Sequence, residues 1–327
     1  MTETDNSAKR SILIVHGGDF KPPEEVYMDE ASTALHAGVQ RDFPDHVEAF
    51  GRVGIELAYY GDLGNAYLRS RGRHYDEQLD IGDRRNALDS LRKIPQRKKF
   101  GLQQYDKLRG KSAIPEAIAD VASPLFGLLG LTPLLVSVVA KDFALYLRRN
   151  TDFTDQVRAR VRDRLCELLR RGDKVMLMSH GTGCAVAYDV LWQLSHDERY
   201  RDEFKASKIE VFVTLGSPIS DNMVRKRLLG ARRRSKERYP TNIITWENVS
   251  AEDDYFCHDK TVANDLKAMM REHVISSIND YRVYNHALRY GKSNPHCSLG
   301  YFIHPRVAKI VVDWIGAPDA AVRSDAP

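Results

Sequence analysis

The chain has 327 residues and a mass of 37.2 kDa, with 43% hydrophobic and 29% charged residues and a mean hydropathy of −0.45. That composition excludes a collagen, a coiled-coil rod and wholesale disorder, and the length suits two domains or one large α/β domain. Lys and Arg exceed Asp and Glu by 49 − 45 = +4, too small an excess to point to nucleic acid. Cys166, Cys184, Cys257 and Cys297 are too scattered for a zinc pattern, so no metal is expected. The polar, acidic start, Met1 to Ser7, lacks the basic and apolar regions of a signal peptide. A cytoplasmic, thiol-reduced protein is therefore the expectation.

Residues 1–10 read as a loose tail. Ile12 to Val15 is a short apolar run that stops at His16-Gly17-Gly18, as a buried strand stops at a glycine turn. Pro22-Pro23-Glu24-Glu25 opens a helix, with proline and acids in its first turn and Met28, Ala31, Leu35 and Val39 on one face. Val53 to Tyr60 is the next strand. Residues 62–150 break the rhythm and read as an insertion. Its stretch Val121 to Ala140 holds twenty residues without a charge, but Pro124, Gly127, Gly130 and Pro133 argue for a buried or interfacial helical hairpin rather than one membrane helix.

Beyond the insertion, Phe153, Val157, Val161, Leu165 and Leu168 mark a helix ended by Gly172. Strands follow at 174–178, 209–215, 242–248 and near 280–284. Helices follow at 183–194, 260–273 and 305–315, with a basic loop at 225–238, an acidic loop at 250–259 and a long loop to 304. Alternating strands and helices mean a mostly parallel, doubly wound sheet covered on both faces. The domain is expected over 11–316, with 317–327 as a second tail.

The segment Ser179-His180-Gly181-Thr182-Gly183 joins a strand to a helix through small residues. A turn this sharp needs small residues two before and two after its centre. Centred on residue 181 the flanks are Ser179 and Gly183, and both fit. Centred on Ser179 or Thr182 they fit badly. The centre is therefore Gly181, which tolerates a positive φ but carries no nucleophile. Downstream, Asp253 and Asp254 follow the strand ending at Asn248, where a carboxylate could orient an imidazole. His296 lies in the final long loop, ahead of the last helix, with His258 a weaker rival. His304 before Pro305 belongs to the start of that helix.

Together, Ile12-Leu-Ile-Val-His16-Gly17-Gly18, the turn at 179–183, Asp253-Asp254 and His296 resemble the α/β-hydrolase superfamily, in particular its esterase- and lipase-like bacterial members. The nucleophile, acid and histidine occur in that order in the family. The likeness covers about 11–60 and 150–316, with a cap at 62–150. It implies a serine–histidine–aspartate mechanism on an ester, thioester or lipid-like acyl substrate. In it His296 would be the base and Asp254 or Asp253 its orienter. His16, Gly17, Gly18, His180 and Thr182 would line the substrate or the oxyanion, with the Gly17 and Thr182 amides as donors. No cofactor is implied.

Gly181 departs from that pattern, because the usual serine is missing. The chain is then a pseudo-hydrolase that binds a small apolar ligand or a partner protein, a hydrolase whose nucleophile was replaced, or a site in which the His296–carboxylate pair acts without a covalent serine. A cysteine substitute (Cys184, Cys257 or Cys297) would need a depressed thiol pKa. Leu125 to Val139 would supply the apolar underside of a cap, or simply core helices. Eight cations lie within residues 225–238, a solvated loop or a contact for anionic lipid headgroups. Without interleaved aromatics this loop is a poor platform for nucleic acid.

Overall fold

The computed structural model describes residues 8–108, 140–148, 150–257 and 261–317. Six strands form one parallel sheet in the order β2-β1-β3-β4-β5-β6. They are β1 (Arg10–Val15), β2 (Gly54–Ala58), β3 (Lys174–His180), β4 (Ile209–Leu215), β5 (Ile243–Ala251) and β6 (Ser277–Val283). The principal helices are α1 (Glu24–Asp42), α2 (Gly61–Ser70), α3 (Glu77–Arg92), α4 (Lys141–Tyr146), α5 (Asp152–Arg170), α6 (Gly183–His196), α7 (Ser298–Phe302) and α8 (Pro305–Gly316).

Side chains alternate across the sheet and divide the core in two. Leu13, Val15, Val175, Leu177, Phe212 and Trp246 face one side and meet α4, α5 and α6. Ile12, Ile14, Met176, Met178, Val213 and Val249 face the other and meet α1, α3, α7 and α8. Apolar runs buried on both faces are what a parallel sheet between two helical layers requires. The architecture is thus a doubly wound α/β fold.

Local signals place the helix ends. Pro23 precedes α1, and Glu24 and Glu25 occupy its first turn. Gly172 takes φ 77° just after α5. The single helix expected over 260–273 is two short ones, Val262–Asp265 and Lys267–Arg271. The long loop expected to 304 contains a small hairpin, Leu288–Arg289 with Lys292–Ser293, and α7. These pieces of two to five residues are too short for periodicity to announce.

The expected insertion is described in part. Leu88 and Leu91 of α3 pack with α1 in the second core, and a buried Arg84–Glu30 ion pair (2.5 Å) joins the same two helices. The uncharged stretch lies outside the described residues up to Val139. Among the described residues no helix is long and apolar enough to cross a membrane.

One buried charge network fixes α4 against α5 and α6. Asp189, 1% exposed, accepts hydrogen bonds from Arg158 Nη2 (2.6 Å), Tyr146 Oη (2.7 Å) and the Leu229 amide (2.7 Å). Removing the carboxylate leaves Arg158 buried without its counter-ion. Asp189→Ala is expected to cost about 3–5 kcal/mol, seen as a lower urea midpoint. A loss below 1 kcal/mol would mean that the guanidinium finds water.

Candidate active site

In an open α/β sheet, ligands bind beyond the carboxyl ends of strands where the winding reverses. Here β1 lies between β2 and β3, so the chain leaves β1 in one direction and later continues in the other. The two turns flanking that crevice are His16-Gly17-Gly18 after β1 and Gly181-Thr182 after β3.

Both turns are shaped by backbone crowding. Gly181 has φ 55°. A Cβ on Gly183 would stand 2.2 Å from the His16 carbonyl oxygen, and one on Gly17 would stand 3.2 Å from that of His180. Small residues are needed here because two main chains pass at contact distance. Ser179, the other small flank, is fully buried and donates its hydroxyl to the Val213 carbonyl (3.2 Å).

His296 meets this turn from the far end of the chain. A Cβ built on Gly181 would stand 2.9 Å from His296 Nε2 and 3.2 Å from its Cε1. On the other side of the ring, Nδ1 lies 2.9 and 3.0 Å from the two oxygens of Asp254. Asp254 is 2% exposed and also accepts from Tyr301 Oη (2.7 Å) and the Phe256 amide (3.0 Å). An acceptor on that side assigns the proton to Nδ1 and leaves Nε2 with a lone pair facing the turn. Phe256 stacks on the imidazole at 4.4 Å, and the His180 ring lies 4.7 Å away. Such an arrangement suits an imidazole that accepts a proton at Nε2 beside a buried carboxylate.

Of the two candidate acids, the structure brings Asp254 to the imidazole. Asp253 adopts φ 60° and its carboxylate accepts from Tyr105 Oη (3.2 Å) instead. His304 caps α8 by accepting the Arg306 amide (3.0 Å). His258 lies outside the described residues.

The residues expected to line substrate divide into two groups. His16 is buried; its Nε2 accepts the Tyr60 amide (3.0 Å), so Nδ1 donates to the Gly17 carbonyl (2.8 Å). His180 is buried and donates Nε2–H to the His296 carbonyl (2.9 Å). Both rings brace the loops from within. The Gly18 amide donates to Thr182 Oγ1 (2.6 Å) and is thereby committed. The Gly17 and Thr182 amides have no hydrogen-bond partner among the described residues. Thr182 N would lie 3.7 Å from a Cβ on Gly17, so the two donors stand close together.

Several site residues gave no usable sequence signal. Tyr301 is the clearest, since its phenol joins Asp254 to the Ala251 amide (2.9 Å). Asp142 accepts from the Asp19 amide (2.8 Å), while Lys21 Nζ donates to the Gly18, Asp19 and Phe20 carbonyls. Gly216, at φ 57°, is the exception, since a glycine ending a buried strand is a visible signal; a Cβ there would meet Asp254 Oδ2 at 2.8 Å.

The cysteines are buried and none is in a disulfide. Burial pushes the Cys184 thiol up to about 11, and burial beside Asp254 raises Cys257 well above its ordinary value. Neither forms a thiolate near neutrality. No group of three His, Cys, Asp or Glu side chains among the described residues is arranged to hold a metal ion. The cations Arg232, Arg233, Arg234, Lys236 and Arg238 are exposed. Trp192 near the end of α6 donates to the Glu237 carbonyl (2.9 Å), and the ridge leads into the start of β5, at the end of the strands opposite the turn at 181.

Compared with protein-family models, curated proteins and solved structures, the chain matches none.

Burial, with Lys21 nearby, pushes His16 down to about 3; burial, with His286 nearby, does the same to His304. Burial and the neighbouring His296 push His180 well below its ordinary value. The unfolded chain protonates these rings near pH 6.5, whereas the folded chain resists. The unfolded state therefore binds more protons between pH 6.5 and about 3. Stability is expected to rise with pH across that window and to level off above it, by about 1.4 kcal/mol per pH unit for each of His16 and His304, with His180 acting in the same direction. Urea midpoints that stay flat from pH 6.5 to 5 would contradict this assignment.

Proposed function

We propose that the chain is an α/β-hydrolase-fold protein, esterase- or lipase-like, whose site takes an ester or lipid-like acyl substrate and has glycine where the serine would stand. The observation that carries this reading is the approach of His296 Nε2 to within 2.9 Å of the place where a side chain at 181 would begin. Further support comes from the order of the three corners along the chain, Gly181, Asp254 and His296, which is the order of that superfamily.

In this reading Asp254 holds the imidazole in the Nδ1–H tautomer and stabilises its protonated form. His296 Nε2 moves the proton. The Gly17 and Thr182 amides bind the oxygen that gains charge on the acyl carbon. His16 and His180 are positioning residues. Residues 11–316 make one domain in this reading, with 62–150 as its insertion.

Gly181→Ser tests the reading. The new Cβ must push the His296 ring aside and the residue must keep a positive φ, at a cost of roughly 1–3 kcal/mol. Its hydroxyl then lies within reach of Nε2. The variant is expected to be labelled covalently by a fluorophosphonate probe, and labelling should slow at least ~100-fold when His296→Ala is added. Failure of Gly181→Ser to label, with the protein folded by circular dichroism, overturns the proposal.

A further inference from the structure

We infer that the chain with glycine at 181 hydrolyses activated acyl esters without a covalent intermediate, a water molecule on His296 Nε2 serving as nucleophile. This rests on the acyl-substrate reading above and adds to it the identity of the attacking group.

Four observations converge. The imidazole is arranged around a glycine: any side chain at 181 begins 2.9 Å from Nε2, inside contact distance. The His296 side chain is 23% exposed, and Nε2 has no protein partner among the described residues. Solvent can therefore reach the one lone pair that Asp254 orients. Two unpaired amides, Gly17 and Thr182, stand beside the same turn. Finally, the hydroxyls flanking the turn are already hydrogen-bonded within the fold. Ser179 donates to Val213, Thr182 Oγ1 accepts the Gly18 amide, and Ser217 Oγ accepts the Ile219 amide (3.2 Å). Among the described residues, with the thiols buried, water is the remaining nucleophile at this base.

The step balances without an oxidant or cofactor. Nε2 takes one proton from water as the water oxygen bonds to the acyl carbon. The carbonyl electron pair moves to its oxygen, which the Gly17 and Thr182 amides receive. As the carbonyl re-forms, the bond from acyl carbon to leaving oxygen breaks and the imidazolium returns the proton to that oxygen. The products are a carboxylic acid and an alcohol. Asp254 stays ionised throughout.

The experiment uses the full chain, p-nitrophenyl acetate and four proteins: wild type, His296→Gln, Asp254→Asn and Gly181→Ser. Wild type is expected to release p-nitrophenol faster than buffer, with no initial burst and no acyl adduct in the intact mass. His296→Gln and Asp254→Asn should each lower that rate by about 100-fold or more, with circular dichroism unchanged. Gly181→Ser should gain both a burst and fluorophosphonate labelling. A wild type no faster than buffer overturns this inference; if Gly181→Ser is nevertheless labelled, the acyl-substrate reading survives alone. If neither protein reacts, both fall. Wild-type turnover that is indifferent to His296→Gln also overturns it, because the hydrolysis then occurs elsewhere on the surface.

Discussion

The carboxylate of Asp254 is the charge on which the cleft is organised. A bare carboxylate in so buried a place would be costly to keep ionised. Three donors meet it here: the imidazole of His296, the phenol of Tyr301 and the amide of Phe256. They come from the turn after β5, from α7 and from the loop before α7, so one buried charge ties together the last third of the chain. It also leaves no room beside it. Gly216 is glycine because a Cβ would press on Asp254 Oδ2 and His296 Nδ1 at once.

Most of the sheet was legible because strands such as β1, β3 and β4 are short apolar runs bounded by glycine or charge, and each of the six lies within three residues of its expected bounds. The centre of the turn at 181 was legible for a steric reason. The small-flank rule reports main chains at contact, and the His16 carbonyl beside Gly183 is that contact. Asp253 and Asp254 could not be told apart, since adjacent acids have identical local chemistry. What separates them is the backbone: Asp253 turns through a positive φ toward Tyr105, which frees its neighbour to face His296.

Histidines 16 and 180 show the opposite limit. A His-Gly-Gly pattern marks the right loop but says nothing of which way the ring points. Both rings face inward; His16 spends both nitrogens and His180 its Nε2 on main-chain groups, a choice made by Tyr60 and by the 296 carbonyl, far away in sequence. The short helices near 262–271 and the hairpin at 288–293 escaped for a simpler reason, since none spans two periods of the pattern that would reveal it.

The exposed arginines and lysines of 232–238 sit where β5 begins, whereas His296 sits beyond where the strands end. A seven-residue strand such as β4 separates those rims by roughly 20 Å, about two Debye lengths at physiological ionic strength. Salt therefore screens much of the field of the exposed cations before it reaches the cleft. Material adsorbed on the cationic rim, a resin bead or a polyanion, would leave the imidazole's mouth open to bulk solvent. The chain can be immobilised through that rim with its cleft still facing outward.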